Sequence, residues 1–296
     1  MAAAGQDILP AACRPEKRDD HMSIRIGCCL PGGKFRAGDT REMTVADVLA
    51  DGYMYLKECG YDYAEVSAGL ITPRSDEDFG KLLKYHSEGK FAPEVSNGFI
   101  PGSVSLYDPS RRAETRAYVE KTVERLHKVG VQIAVFGSGA ARNLPNIDPQ
   151  AERSMLCDFL KMCDEVVGQY GMVLAIEPLR SAECNVLNKV TEVGELCREL
   201  ALPNVRMIAD VFHMAMEGED LHEALRANID QIVHTHVCEC PTRLAPCGEA
   251  GGVLKSFAAS LAELGYSGRA TLECIFKNYE ADARAAAASL RSVFPV

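Results

Sequence analysis

Short apolar runs and longer amphipathic stretches alternate along the chain. Residues 24–30 form the first run. Thr44 then stands as the N-cap of a helix that extends to Cys59 and stops at Gly60. The same pair recurs seven times. Strands over 62–66, 93–99 and 132–136 precede helices over 75–88, 109–129 and 149–170. A strand over 172–176 precedes a helix capped by Thr191, and a strand over 205–210 precedes a helix over 220–228. Strands over 231–235 and 270–272 precede helices over 253–264 and 278–293. Gly89, Gly130, Gly171 and Gly265 sit where helices should end. Eight strand–helix units in succession predict an α/β protein with a single (β/α)8 TIM barrel. Residues 1–22 are polar and patternless and are expected to be a disordered leader or a tag remnant, with the barrel spanning 23–296.

Composition narrows the partners. Of 296 residues, 47% are hydrophobic and 25% charged, enough to bury a large core. The net charge of -10 and the lack of a basic stripe disfavour nucleic acid as a partner. No apolar run reaches the roughly 18 residues needed to span a membrane, and the N-terminus does not read as a secretory signal. The 12 cysteines form no CxxC pair, so free thiols in a reducing, cytoplasmic setting are expected. Cys238, Cys240 and Cys247 cluster near His236, but their spacing matches no zinc motif.

The chemistry shows at the strand ends. Four successive strands of the second half run into Glu177, Asp210, His236 and Glu273. One acidic residue after an apolar run is usually a helix cap or a solvated loop residue. Four ligand-type residues in four successive units, each at the C-terminal mouth of a strand, point to a metal site. Three carboxylates and an imidazole form a hard, oxygen-rich set that suits Mn²⁺ best, with Mg²⁺ or Co²⁺ also accommodated. Such an ion polarises a carbonyl and its neighbouring hydroxyl, and a nearby carboxylate can then remove the acidified C–H proton. His234 shares a strand face with His236 one layer down, where a hydrogen-bonded core histidine is expected. The loop Gly137-Ser138-Gly139 lacks both the dinucleotide fingerprint and the Walker lysine and reads as a tight turn. Arg142 beyond it is a candidate for facing an anionic or polyhydroxyl substrate.

These motifs resemble a known family. Glu177-Pro178-Leu179 with Glu183, Asp210-Val211-Phe212-His213-Met214, His234-Thr235-His236-Val237 and Leu272-Glu273 are similar to the motifs of the xylose isomerase-like barrel superfamily. The branch they resemble holds the metal-dependent ketose 3-epimerases and hydroxypyruvate isomerases. The resemblance is specific over the fifth to eighth strands. In the first half it is general, carried by Asn97–Gly102 and Gly137–Arg142.

The resemblance implies a sugar isomerase or epimerase with one divalent ion on Glu177, Asp210, His236 and Glu273. Glu177 and Glu273 would be the acid/base pair on opposite faces of the substrate. Glu183 and His213 would bond substrate oxygens, and Arg243 would bind substrate from one position later than the usual arginine, where Thr242 stands. The resemblance also implies a homo-oligomer, a dimer or tetramer. The chain has no Trp, which related epimerases use to line the sugar pocket; Phe99, Tyr107, Phe136 and Phe212 are the candidate replacements. A lyase on the same barrel, cleaving a C-glycoside or dehydrating a keto-sugar or inosose, begins with the same proton removal and is the alternative. A nuclease of this fold would need more than 7 histidines and a basic face. A degenerate barrel acting only as a binding module would not keep four ligands.

Overall fold

The structure, a computed structural model, describes residues 23–294. The expected leader over 1–22 lies outside the described residues. The eight apolar runs become β1 (Arg25–Cys29), β2 (Tyr63–Ser67), β3 (Val95–Asn97), β4 (Ile133–Phe136), β5 (Val173–Ile176), β6 (Val205–Asp210), β7 (Ile232–Val237) and β8 (Arg269–Leu272). All pair in parallel in chain order, and β8 pairs with β1, so the sheet closes into a barrel. Between and after them lie α1 (Val45–Glu58), α2 (Asp76–Ser87), α3 (Arg112–Lys128), α4 (Pro149–Gly168), α5 (Val190–Leu200), α6 (Leu221–Asn228), α7 (Gly252–Glu263) and α8 (Tyr279–Val293). This is a TIM barrel in one domain, with the helices as its outer layer. Among the described residues no helix is long and apolar enough to cross a membrane.

Local chemistry sets the helix starts. Thr44 caps α1 as expected: its hydroxyl accepts from the Asp47 N–H while the Asp47 carboxylate accepts from the Thr44 N–H. Thr191 does not cap α5. That helix begins at Val190 with Lys189 at the cap, two residues earlier than expected, because Glu192 reaches back to accept from the N–H groups of Asn188 and Lys189. Three one- or two-turn helices, Ala68–Ile71, Gly139–Arg142 and Val211–Met216, follow β2, β4 and β6, the first and last directly and the second after Gly137 and Ser138. They are too short to show a helical period in the sequence.

Tyr63, Val95, Ile133, Val135, Val173, Ala175, Ile208 and Val233 pack as one apolar cluster, distinct from the larger cluster formed with the helices. The pairing of β6 with β7 slips at one point: Met207 faces Ile232, but the next residue, Ile208, faces His234. This bulge at Val233 resets the alternation, so that Asp210 lies beside His236 across the two strands.

Candidate metal and active site

Glu177, Asp210, His236 and Glu273 converge at the C-terminal mouth of the barrel. Each offers a ligand atom within 4.8 Å of all the others. The backbone explains the convergence. Asp210 and His236 are register partners on β6 and β7. The Glu273 N–H donates to the Val237 carbonyl and the Glu177 N–H to the Phe136 carbonyl, each at 3.2 Å, which places both glutamates one step beyond their strands. Asp210 has a second task. Its Oδ1 accepts from the N–H groups of Phe212 (2.6 Å) and His213 (3.2 Å), capping the helix Val211–Met216. That fixes the carboxylate and leaves Oδ2 facing His236 Nδ1 at 3.7 Å. Gly137 leaves the space that Glu177 occupies, since a Cβ there would collide with Glu177 Oε2.

His236 is fully buried and bonded on both sides. Nδ1 faces Glu177 Oε1 at 3.0 Å and Glu273 Oε2 at 3.5 Å. Nε2 lies 3.0 Å from Oε1 of Glu65, whose other oxygen lies 3.0 Å from His234 Nε2. Glu65 comes from β2, across the barrel from β7. The sequence pattern predicts β2 but does not single out Glu65. The available signal was a carboxylate in the middle of a strand whose neighbours are all core residues. His234 is the hydrogen-bonded interior histidine expected.

Charge in this cluster is unbalanced. Burial pushes Asp210 up to about 6, and the nearby Glu177 and Glu273 add to it against the pull of His213 and His236. Burial also raises Glu273, with Glu177 and Glu65 adding to that. Burial opposes a charge on His236, but Glu65, Glu273 and Glu177 together hold its imidazole far above its ordinary value. A proton on Nδ1 therefore stands where several carboxylates converge. A divalent cation would satisfy the same oxygens and the Nδ1 lone pair. Donors 2.0–2.2 Å from one ion are at most about 4.4 Å apart, so the cluster needs only a slight contraction to hold one. The residues present fit a divalent metal ion.

The side chains expected at the substrate stand around this cluster. His213 is buried, and its Nδ1 accepts from the Arg180 N–H at 3.2 Å. A backbone N–H can only donate, so the neutral ring carries its proton on Nε2. That atom is buried without a hydrogen-bond partner and lies 3.9 Å from Asp210 Oδ2, beside the cluster. Burial keeps His213 below its ordinary value and so neutral. Arg243 has a left-handed backbone (φ 55°), and its N–H and C=O are tied to Glu239 and Ile275. Its guanidinium donates to Glu273 Oε2 at 2.8 Å and lies 3.5 Å from Glu183 Oε1. The structure thus brings Arg243 to the site despite its one-residue offset. Arg180, which sequence reading did not single out, donates to the same Glu183 oxygen at 2.7 Å. Both guanidiniums lie 4.9 Å from the centre of the Phe212 ring.

Other expectations change. Arg142 does not face a substrate. It is fully buried, and its Nη1 donates to the carbonyls of Phe136 (3.0 Å) and Glu177 (2.7 Å), tying the end of β4 to the end of β5. The loop before it is tight, as expected, with Ser138 in the left-handed region at φ 47°. Of the aromatic candidates, Phe99 and Phe136 are core residues, and the Tyr107 hydroxyl donates to the Arg142 carbonyl. Only Phe212 is part of the site, as a platform for arginines. A different aromatic group, Phe35, Phe276 and Tyr279, lines a cavity of about 500 Å³ together with Cys29 and Cys274. Asn97 connects it to the site, with Nδ2 3.4 Å from both Cys29 Sγ and Glu273 Oε1. All described cysteines are free, and Cys247 lies exposed against Asp282, apart from Cys238 and Cys240.

Comparison with known proteins agrees with this fold. The xylose isomerase-like TIM barrel family model matches residues 54–293, and the chain belongs to that family. It is 24% identical over 211 residues to a 3-dehydro-D-guloside 4-epimerase of Escherichia coli, a match covering 69% of this chain and 79% of that protein. It is 22% identical over 218 residues to a D-psicose 3-epimerase of Ruminiclostridium cellulolyticum, covering 72% and 74%. Among solved structures, a D-psicose 3-epimerase determined in the presence of D-fructose superposes with a TM-score of 0.77 at 18% identity, covering 92% of this chain and all of that one. The apo form of a 3-keto-D-glucoside 4-epimerase from E. coli gives 0.71 at 23%, covering 91% and 98%. The chain is an enzyme of the isomerase and epimerase class.

Proposed function

We propose that this enzyme is a metal-dependent isomerase or epimerase of a ketose or a related keto-sugar. The observation that carries this reading is the convergence of Glu177, Asp210, His236 and Glu273 from four successive strands. These four would hold one divalent ion, Mn²⁺ in preference to Mg²⁺ or Co²⁺. The ion, when bound, withdraws electron density from a substrate carbonyl and acidifies the adjacent C–H. Glu177 and Glu273 are the acid/base pair: one removes the proton from carbon and the other returns it. His213 donates from Nε2 to a substrate oxygen. Glu183 and Arg243 bind substrate hydroxyls, and Arg243 also steadies Glu273 through their 2.8 Å contact. The names of the relatives support a sugar carrying a ketone, either free or within a glycoside.

The test is a panel of ketoses and keto-glycosides in D₂O, with and without Mn²⁺. The expected result is deuterium at one stereocentre beside the carbonyl, dependent on the metal and lost in Glu177→Gln and Glu273→Gln. An unsaturated product or a released aglycone would instead identify the lyase alternative. Full turnover after EDTA treatment would refute the metal assignment.

A further inference from the structure

Glu65 is a fully buried carboxylate in the middle of the barrel, bonded to two histidines. Both of its oxygens are committed, one to Nε2 of His234 and one to Nε2 of His236, each at 3.0 Å. A carboxylate only accepts, so both rings must carry their proton on Nε2. For His236 this leaves Nδ1 as the nitrogen whose lone pair a cation takes when it displaces the proton there, and Nδ1 is the atom that faces Glu177, Asp210 and Glu273. For His234 it leaves Nδ1 as an acceptor, and that atom is buried with no partner. An unmade hydrogen bond in a dry interior is costly. The contact by which His234 offsets it is with Glu65.

We propose that Glu65 is a positioning residue of the metal centre, held in place by His234, and that it sets how tightly the cation binds. The inference rests on the metal-site reading above. The carboxylate fixes the His236 tautomer, holds the ring plane, and makes the imidazole a stronger donor. Partners of this kind, behind a ligand histidine, typically alter metal affinity roughly 10- to 100-fold. The rival reading is that Glu65, His234 and His236 bind a second cation themselves, since their ligand atoms also cluster within 4.8 Å.

The experiment compares wild type with Glu65→Gln. An amide can accept from one histidine but must turn its NH₂ toward the other, which breaks the pattern. Mn²⁺ binding is followed by the EPR signal of the free ion, and melting temperature is measured with and without Mn²⁺. Wild type is expected to bind one Mn²⁺ per chain. Glu65→Gln is expected to bind it roughly 10- to 100-fold more weakly and to lose most of the metal-induced rise in melting temperature. A purely structural role would lower both melting curves equally and leave the dissociation constant unchanged, which overturns the proposal. Two Mn²⁺ per wild-type chain with one lost in the variant also overturns it. If wild type binds no Mn²⁺, the metal-site reading fails first. Should Glu65→Gln not fold, His234→Gln serves in its place, with a weaker Mn²⁺ affinity expected and an unchanged one decisive against.

Discussion

At the scale of single residues, this site depends on side chains with two commitments each. Asp210 caps a helix with one oxygen and faces His236 with the other. His213 accepts a backbone N–H at Nδ1 and so presents a proton at Nε2. Gly137 contributes by lacking a side chain, because Glu177 fills the space a Cβ would take. Gly137→Ala should therefore act on Glu177 rather than on the fold. A displacement of about 1 Å at a catalytic group can cost about 10²-fold in rate. Gly137→Ala is expected to approach the activity floor set by Glu177→Gln while keeping its far-UV circular dichroism. A kcat within threefold of wild type would show that Glu177 tolerates the displacement.

At the scale of elements, the sequence and the structure agree where a pattern is long and part where it is short. The eight strands and eight main helices were legible because their apolar periods extend over several residues and their caps are chemically distinct. The mouth residues were legible because a carboxylate or imidazole breaks an apolar run at Glu177, Asp210, His236 and Glu273. Glu65 lacks that signal, since its role depends on a strand five places away in sequence order. Arg142 was misread for a similar reason: its partners are two backbone carbonyls, which leave no trace in side-chain pattern. The helix Val211–Met216 offers a test at this scale. Asn is as good a cap as Asp, whereas Ala costs roughly 0.5–2 kcal/mol. Metal-free Asp210→Asn should melt at or above wild type at pH 7, because it keeps the cap and removes one buried, repelled carboxylate. Asp210→Ala should melt lower. Both should lose high-affinity Mn²⁺ binding, so melting of the metal-free proteins separates the capping role from the ligand role.

At the scale of the molecule, a closed parallel barrel gathers side chains far apart in sequence at one end, and here it gathers mostly negative ones. The fold meets that cost by binding protons or a cation. Asp210, ordinarily near 3.8, titrates at about 6, and His236 titrates well above its ordinary 6.5. A group whose value is raised by folding stabilises the folded state fully below its unfolded value and loses that contribution as pH rises through the folded one. The contribution of Asp210 is thus complete below about 4 and lost through about 6, and that of His236 fades at still higher pH. Glu65 runs the other way: burial opposes its charge, but His236 and His234 hold it below the ordinary range, so its contribution is lost only in strong acid. The metal-free protein should therefore lose melting temperature between pH 5 and pH 8. Mn²⁺ replaces the protons, so its affinity should rise over the same interval, with protons released on binding. The gap between metal-bound and metal-free melting temperatures should widen steadily from pH 5 to pH 8. Calorimetry of Mn²⁺ binding in two buffers of different ionisation enthalpy should show proton release. A gap that stays constant across this range, with no proton release, would mean that the protonated cluster and the cation site are not the same.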